Sequence, residues 1–391
     1  MRILLTTDTV GGVWDYTVTL ARQLDALGCE VLIAAIGEPR DERLAHVPAG
    51  VQVTWRTYRL EWMEDAAADV AEAARWLREL SQLWAADVVH LNQLAYAGTE
   101  GDRGQGTGDS QQGRPPSRGA GHLSGVRFSC PVVTVAHSDV LSWWAHVRGA
   151  AAPPEWEPYA RWVDDGLRAS DAVVAPTAYH ASLLARHYGL HGARVIHNGV
   201  EPPASDPPAK GEPLVLCVGR AWDEGKGVDL LDAAAGMLGP GFPPVHVLGE
   251  AAAPHGGVFQ AKNLAMHGRV ERAEVDGWMR RATVYAAPSR YEPFGLAPLE
   301  AALNGCALVL SDVGTFRELW DGCADFFPSG DAAALAEVLG RVAADPARAA
   351  KMAERARGRA LRRYGAARMA AEYVALYREL AARPEQKRSV A

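Results

Sequence analysis

Glu292 and Glu300 stand with seven residues between them, and this segment runs from Pro-Phe-Gly into an apolar helical pattern. The first amides of a helix have no internal partners and carry partial positive charge, so those near Phe294, Gly295 and Leu296 suit an anion. A carboxylate accepts two hydrogen bonds side by side, which suits the vicinal hydroxyls of a sugar. The pattern therefore indicates a site for a nucleotide-diphosphate sugar, with its sugar and ribose at the two ends.

The same residues have a simpler interpretation. Acidic side chains in the first turn of a helix complement the helix dipole, which contributes about 0.3–1 kcal/mol without any ligand. The Pro-Phe-Gly sequence is also typical of a tight turn. The spacing of Glu292 and Glu300 alone does not separate a sugar site from a helix start.

Arg220 and Lys226 lie on one loop between an apolar strand pattern, residues 214–219, and a helical pattern, residues 228–235. A diphosphate leaving group gains negative charge as its bond to the sugar breaks, so a positive group must receive it. Many sugar transferases use a metal held by an Asp-x-Asp triplet, and the sequence contains none. A planar guanidinium and a compact ammonium are an alternative source of charge, although loop charges are often only exposed surface.

Two features of the first half could also contact a ligand. Gly11 and Gly12 follow the first strand pattern and open a helix, which is a geometry that lets a phosphate approach, or simply a tight connection. His137 follows the strand pattern at residues 132–136, where a lone histidine is commonly a hydrogen-bonded structural residue.

The elements that position these residues alternate along the chain. Strands alternating with helices predict parallel sheets covered on both faces, with ligands beyond the carboxyl ends of the strands. The strand patterns fall at residues 2–6, 30–36, 51–56, 87–91, 132–136, 172–175 and 195–196, and then at 214–219, 245–248, 264–267, 283–287, 307–311 and 324–327.

The domain organisation follows from this alternation. We expect a first domain over residues 1–203, a proline-rich hinge over 204–213 and a second domain over 214–364. A last helix over 365–383 should cross back to the first domain, and 384–391 should be a frayed tail. Residues 98–125 are rich in Gly, Gln, Ser, Arg and Asp, which predicts a disordered insert.

Composition excludes several classes of function. The net charge of −7 does not indicate the excess of positive charge that is typical of proteins that bind nucleic acid. The five cysteines are odd in number and lack paired spacing, so we expect no disulfide framework and a reducing, cytoplasmic compartment. The first apolar run is too short for a signal peptide or a membrane span, so no transmembrane segment is expected, although peripheral membrane contact stays open.

The sequence that starts at Glu292, Glu-Pro-Phe-Gly-Leu-Ala-Pro-Leu-Glu-Ala, resembles the signature of the retaining GT-B glycosyltransferases of family 4, the glycosyl transferases group 1. The Gly-Arg and Lys-Gly around Arg220 and Lys226 resemble the phosphate-clamping loop of that family. The resemblance implies an α/β protein of the GT-B fold, with two Rossmann-like domains facing an interdomain cleft. It also implies that His137 faces the donor sugar and that the base lies near Val270, held through backbone groups.

The resemblance further implies roles and partners. The donor-binding residues would be Gly11, Gly12, Arg220, Lys226, Val270, Glu292, Phe294, Gly295, Leu296 and Glu300, and the residues at the reaction centre His137, Arg220, Lys226 and Glu292. A hexose would pass from a nucleotide-diphosphate sugar, with a UDP-sugar favoured by family frequency, to an unidentified glycan, lipid-linked or small-molecule acceptor. Retention of anomeric configuration is expected, without metal or cofactor.

Two other interpretations stay open from the sequence. One is a nucleotide-sugar epimerase or a phosphorylase on the same fold, and the other is a non-catalytic two-domain ligand-binding protein. A binding protein would not need Arg220 together with Lys226 on one loop, which favours the transferase.

Overall fold

Residues 1–98, 127–253 and 256–383 are described in the computed structural model of the protein. The insert expected over residues 98–125 lies outside these ranges except for Gly98, and the tail expected over residues 384–391 lies outside them entirely.

The first half of the chain forms a parallel sheet from short apolar segments. Its strands cross the sheet in the order β3-β2-β1-β4-β5-β6-β7. Ile3, Leu4 and Leu5 of the first strand are fully buried, as in a central strand covered on both faces. The strands are β1 (Arg2–Asp8), β2 (Glu30–Ile36), β3 (Gln52–Arg56), β4 (Val88–Leu91), β5 (Val132–Val135), β6 (Ala172–Ala175) and β7 (Arg194–Val195).

Helices connect these strands, and the first begins and ends where the sequence predicts. It starts after Gly12 and stops before Gly28, which has a φ of 77° that favours glycine. The helices of this half are α1 (Val13–Ala26), α2 (Asp41–Leu44), α3 (Ala67–Leu83), α4 (Val140–Val147), α5 (Glu157–Ala169) and α6 (Ala178–Tyr188).

The second half forms another parallel sheet, in the order β10-β9-β8-β11-β12-β13. Its first strand, β8, therefore lies beside its fourth, β11, and the chain winds outward in both directions from this pair. Ligands of doubly wound sheets bind beyond the carboxyl ends of such a pair. The strands are β8 (Val215–Val218), β9 (Val245–Leu248), β10 (Ala265–Met266), β11 (Val284–Ala287), β12 (Ala307–Ser311) and β13 (Asp325–Phe327).

Both faces of this second sheet are covered. Leu216 of β8 packs in one apolar cluster, while its neighbours Val215 and Cys217 pack in another on the opposite face. The fold thus confirms the predicted pair of parallel α/β sheets. The helices are α7 (Val228–Met237), α8 (Arg272–Arg281), α9 (Leu296–Leu303), α10 (Gly314–Trp320), α11 (Ala332–Ala344), α12 (Pro346–Arg363) and α13 (Ala366–Ala381).

The contacts of the chain divide it into two units. The first comprises Met1–Ala136, Pro154–Val173 and Leu376–Ala391, and the second comprises His137–Pro153 and Val174–Ala375. The domain and hinge bounds expected from the sequence stay a prediction.

In the first unit, a buried histidine links the sheet to the end of the chain. The amide nitrogen of Asn92 donates to the carbonyl of Thr6 and to the hydroxyl of Thr17, so the amide oxygen accepts a hydrogen bond from His90 Nε2 at 3.1 Å. His90 Nδ1 is then the acceptor for the hydroxyl of Tyr377. Burial lowers the pKa of His90 to about 3, so the ring stays neutral in this network.

In the second unit, Lys210 joins the ends of two helices. Its ammonium donates to the carbonyls of Met279, Arg280 and Asn304, at 3.2, 3.0 and 2.7 Å, where α8 and α9 end. Terminal carbonyls of a helix lack internal partners, and a cation there also complements the helix dipole. Burial lowers the pKa of Lys210. The proline-rich segment is therefore attached to the second unit at this residue.

A buried carboxyl group supports the loop that follows β4. Glu61 is 6% exposed, and its two oxygens accept from the amides of Leu94 and Ala95 at 3.0 and 2.9 Å. Burial raises the pKa of Glu61 to about 7, although the two hydrogen bonds oppose that rise. Gly166 packs so closely on this loop that a Cβ atom would overlap the carbonyl oxygen of Leu94.

Glu61 predicts how stability changes with pH. Because the pKa of Glu61 is higher in the folded state, the folded chain binds more protons between pH 4.5 and 7, and stability falls as the pH rises through this range. From pH 5 to pH 8, the free energy of unfolding of the wild type should fall by about 2–3 kcal/mol relative to that of Glu61→Gln. Urea unfolding of both proteins across this range measures the difference. If the difference in unfolding free energy between the two proteins does not change with pH, the pKa of Glu61 is not raised in the folded state.

Candidate active site

Two loops of the second unit leave the sheet at the edge where the doubly wound order predicts a ligand. Residues 219–227 follow β8 and residues 288–295 follow β11, and these strands are parallel neighbours. The first loop carries Arg220 and Lys226, and the second carries Glu292. The sheet therefore brings together residues that the sequence separates by more than sixty positions.

The loop after β8 is held by its own aspartate. One oxygen of Asp223 accepts from Arg220 at 2.7 Å, and the other accepts from the amide of Gly225 at 3.0 Å. Burial raises the pKa of Asp223, but Arg220, Lys226 and these hydrogen bonds outweigh burial and hold that pKa below its usual value. The guanidinium of Arg220 also lies over the ring of Trp222, 5.2 Å from its centre. Arg220 is thus fixed while its side chain remains 39% exposed.

Backbone contacts then join the two loops. The carbonyl of Gly225 accepts from the amides of Arg290 and Tyr291, at 2.9 and 3.3 Å. The guanidinium of Arg290 bonds both oxygens of Asp229, at 2.8 and 2.6 Å. Gly227 has a φ of 66°, and a Cβ atom there would overlap the carbonyl oxygen of Pro288. The loops therefore form one supported surface.

Lys226 and Glu292 meet across this surface, with Nζ 2.6 Å from Oε2. The Glu292 side chain is only 13% exposed and that of Lys226 is 29% exposed. An unpaired carboxylate at this depth would be costly, so the lysine stabilises it. An ammonium has three donors, and one bond to Glu292 leaves capacity for the oxygens of a ligand.

The helix α9 begins beside Glu292. Gly295 has a φ of 90°, and a Cβ atom there would lie 3.1 Å from the Phe316 ring. The amides of Phe294, Gly295 and Leu296 have no acceptor among the residues that the structure describes. They are therefore suited to an anion, as the sequence predicts.

Two of the predicted donor-binding residues have apolar side chains that pack inside the second unit. The ring of Phe294 is 3% exposed and packs edge-on against Tyr364, with ring centres 5.9 Å apart. Val270 is partly buried and packs on the same apolar cluster. Neither side chain contributes polar chemistry, so a ligand there would meet main-chain groups.

Glu300 lies one turn into α9 and is bonded to α8. Its Oε1 is 2.6 Å from a guanidinium nitrogen of Arg272, and its side chain is 12% exposed. Glu292 and Glu300 thus frame the start of α9, each beside a cation. This is the arrangement expected for two hydroxyl acceptors on either side of an anion site.

His137 and the glycine pair occupy different units. His137 is half-buried, lies two residues beyond β5 and belongs by its contacts to the second unit. Gly11 and Gly12 belong to the first unit, where Asp8 Oδ1 accepts from the amide of Gly11 at 3.1 Å. Gly12 has a φ of −71°, which any residue adopts, and open space lies where its Cβ would be.

Other residues at the site were missed by sequence reasoning. The ring of Tyr291 lies against His146, with centres 5.5 Å apart, and the hydroxyl of Thr177 donates to the carbonyl of Pro293 at 3.0 Å. Glu318 was not missed, because its position resembles one that stabilises the ligand-facing loop in family 4; it accepts from the amides that begin α6, at 2.9 and 2.7 Å. No sequence signal links these positions, because their partners lie more than a hundred residues away.

In the ranges 1–98, 127–253 and 256–383, no cluster of three or more histidine, cysteine or acidic side chains is arranged to hold a metal ion. Within the same ranges, no helix has both the length and the apolar character needed to cross a bilayer.

Three family models match successive parts of the chain. A glycosyl transferase 4-like domain matches residues 11–105, glycosyltransferase family 4 matches residues 113–202, and glycosyl transferases group 1 matches residues 212–345. The last of these contains both loops described above. The matches therefore include the residues that frame the start of α9.

Individual proteins agree with these models. The D-inositol 3-phosphate glycosyltransferase of Xylanimonas cellulosilytica is 33% identical over 293 residues, 66% of this chain and 68% of the relative. The sucrose-phosphate synthase of Thermosynechococcus elongatus has a TM-score of 0.71 at 20% identity, covering 97% of this chain and 99% of that one. The Anabaena protein HepE in complex with UDP-glucose has a TM-score of 0.68 at 16% identity, covering 97% and 100%.

The structural likeness supports the GT-B fold expected from the sequence. The family models and the sequence relative show that the chain belongs to the family 4, group 1 glycosyltransferases.

Proposed function

We propose that the protein transfers a hexose from a nucleotide-diphosphate sugar, with UDP as the favoured nucleotide, to an acceptor hydroxyl with retention of anomeric configuration. One observation carries the proposal. Arg220, Lys226 and the amides at the start of α9, which have no acceptor among the described residues, lie on neighbouring loops at the carboxyl edge of the second sheet. These groups form a positive surface of the kind that a diphosphate requires.

The diphosphate would lie between the two loops. Arg220 is held by Asp223 and Trp222 but remains partly exposed, so its guanidinium can meet phosphate oxygens without reorganising. Lys226 would share its ammonium between Glu292 and a phosphate. Because both charges are fixed before the ligand binds, they stabilise the leaving group without a metal or a cofactor.

The two glutamates would hold the ends of the donor. Glu300 is on α9 and would accept from the ribose hydroxyls, while Glu292 precedes the helix and would accept from the sugar. The UDP-glucose complex of HepE supports a UDP-sugar as the first donor to test. The base would be held near Val270 through backbone groups, because that side chain packs in the core.

We infer a same-face displacement as the chemical step at this site. The acceptor oxygen forms a bond to the anomeric carbon on the face from which the phosphate oxygen leaves, and the bond between carbon and phosphate oxygen breaks. The acceptor proton passes to the departing phosphate. Arg220 and Lys226 neutralise the negative charge that develops on the diphosphate. His137 contacts the donor sugar while the sugar ring gains positive charge in the transition state.

A panel of nucleotide sugars tests the donor. A bound donor at one hundred times its Kd should stabilise the protein by about 2.7 kcal/mol, and UDP-sugars should raise the thermal midpoint most. Adding EDTA should not alter this rise. Stabilisation that disappears with EDTA, or that is absent for every nucleotide sugar, would contradict the proposal. The configuration of the product, read by NMR at its anomeric centre, decides between retention and inversion.

Product analysis also separates the alternative activities. An epimerase converts the donor without an acceptor, and a phosphorylase requires phosphate. Conversion of the nucleotide sugar without an acceptor hydroxyl, and without formation of a transfer product, would favour one of these activities.

Lys226 should affect the chemical step. Replacing it with alanine removes charge from the leaving group, and we expect kcat to fall about 100-fold to 1,000-fold, as for other groups that stabilise developing charge. The KM for the donor should change much less. Lys262→Ala removes the same charge from an exposed position of the same unit and serves as the control.

The loss of Lys226 also leaves Glu292 without its cation, so thermal unfolding must be measured beside kinetics. A folded Lys226→Ala protein with wild-type turnover would overturn the role of this lysine.

Glu300 should affect donor binding instead. In Glu300→Gln the paired acceptor for the ribose hydroxyls is lost, so the Kd for UDP should rise about tenfold, which corresponds to about 1.4 kcal/mol. Glu354→Gln, on the exposed face of α12, is the matched control. Isothermal titration with UDP measures both without need of the acceptor. An unchanged Kd for UDP in the Glu300 variant would contradict the assignment.

A further inference from the structure

Tyr291 lies in the loop of residues 288–295, named the donor loop after its proposed role, directly before Glu292, but its side chain is buried. The residue is 7% exposed, and its ring lies between those of His146 and His180, with centres 5.5 and 6.5 Å away. A buried aromatic ring at this place could serve packing alone. The partners of its hydroxyl indicate more than packing.

The hydroxyl of Tyr291 contacts the segment that carries His137. The amide of Asp139 donates to it over a long 3.4 Å, and the side chain of Ser138 also bonds to it. One phenolic oxygen is therefore bonded to the two residues that follow His137, while the same tyrosine is covalently attached to Glu292. The two candidate sugar contacts, 155 positions apart in the sequence, are linked through this side chain.

The remainder of the loop is held by directional bonds as well. The hydroxyl of Thr177 donates to the carbonyl of Pro293 and also accepts from the amide of His180. The ring of His146 bonds the carbonyl of Ser142 at 2.7 Å, so its other nitrogen accepts from the hydroxyl of Tyr179 at 2.8 Å. The Thr177 bond holds the loop just after Glu292, and Tyr291, just before Glu292, links the loop to the His137 segment.

The surroundings of Tyr291 are not arranged for stability alone. Asp139 Oδ2, the hydroxyl of Ser142 and both ring nitrogens of His180 are buried and have no hydrogen-bond partner among the described residues. Buried polar atoms without partners destabilise a fold and are uncommon in native proteins. Two of these residues contact Tyr291, Asp139 through its amide and His180 through its ring, which indicates a region kept for its geometry, as expected near a functional site.

We propose that Tyr291 is a positioning residue that sets the orientation of His137 relative to Glu292 through Ser138 and Asp139. This inference rests on the proposed transferase function, in which both side chains contact the donor sugar. Tyr291 touches neither donor nor acceptor in this role. Its hydroxyl determines where the His137 segment lies when the sugar is bound.

The test compares Tyr291→Phe with Tyr188→Phe. Each change removes one buried hydroxyl that bonds Asp139, since Tyr188 donates to Asp139 Oδ1 at 3.2 Å, but only Tyr291 belongs to the donor loop. With a UDP-sugar donor, Tyr291→Phe should lower kcat about tenfold and leave the KM for the donor within twofold. Tyr188→Phe should leave kcat within twofold. Equal losses in both variants would overturn the proposal, because they would assign the effect to Asp139 alone.

A double-mutant cycle measures whether the effects of Tyr291→Phe and His137→Ala on kcat are coupled. A purely structural role of Tyr291 would not produce this coupling. If Tyr291 acts through His137, adding Tyr291→Phe to His137→Ala should lower kcat by less than twofold further. Independent, multiplying losses would overturn the coupling. If His137→Ala alone has wild-type kcat, both the role proposed for His137 and this inference fail. If the wild type transfers no sugar while UDP still stabilises it, the proposed function fails first.

Discussion

The candidate site depends on one constraint, which is that neighbouring parallel strands end at the same edge of a sheet. β8 and β11 are such neighbours, so the loops after them meet although the chain between them forms other strands and helices. Lys226 and Glu292 come to 2.6 Å from each other for this reason. The carbonyl of Gly225 and the glycine at position 227 then bring the two loops into direct contact.

Within this frame, the charged side chains at the site are already paired. Arg220 is bonded to Asp223, Lys226 to Glu292, and Arg272 to Glu300. Such pairs keep half-buried charges from being left alone, which would be costly. They also set what a ligand must offer, because a diphosphate carries more negative charge than one carboxylate and can engage both cations together. Binding would then redistribute existing contacts rather than assemble the site.

The sequence predicted the parts of this arrangement that depend on local pattern. The strands before both loops, the helix after Gly295 and the positions of Arg220, Lys226, Glu292 and Glu300 follow from apolar runs and motif spacing. It did not predict what those side chains bond. The link between Glu300 and Arg272 joins neighbouring helices, and no periodicity indicates it.

The same limit applies to the supports behind the site. Lys210 belongs to a segment whose prolines indicate a linker, yet its ammonium joins the ends of α8 and α9. Its partners are backbone carbonyls, which every residue possesses, so the sequence holds no sign of them. Phe294 shows the same limit. It belongs to the predicted binding motif, but its ring packs in the core, so only its backbone amide could meet a ligand.

The supports of the donor loop differ in kind from the rest of the core. Apolar packing fixes distance but is weakly directional, whereas hydrogen bonds fix orientation as well. Around Glu292 the orienting contacts are the hydroxyls of Thr177 and Tyr291 and the amides that meet Gly225. A carboxylate that must meet particular hydroxyls of a sugar requires a defined direction. Some buried polar atoms, such as Asp139 Oδ2, have no hydrogen-bond partner in the part of the chain that the structure describes, and they are the cost of building that direction from polar groups inside a core.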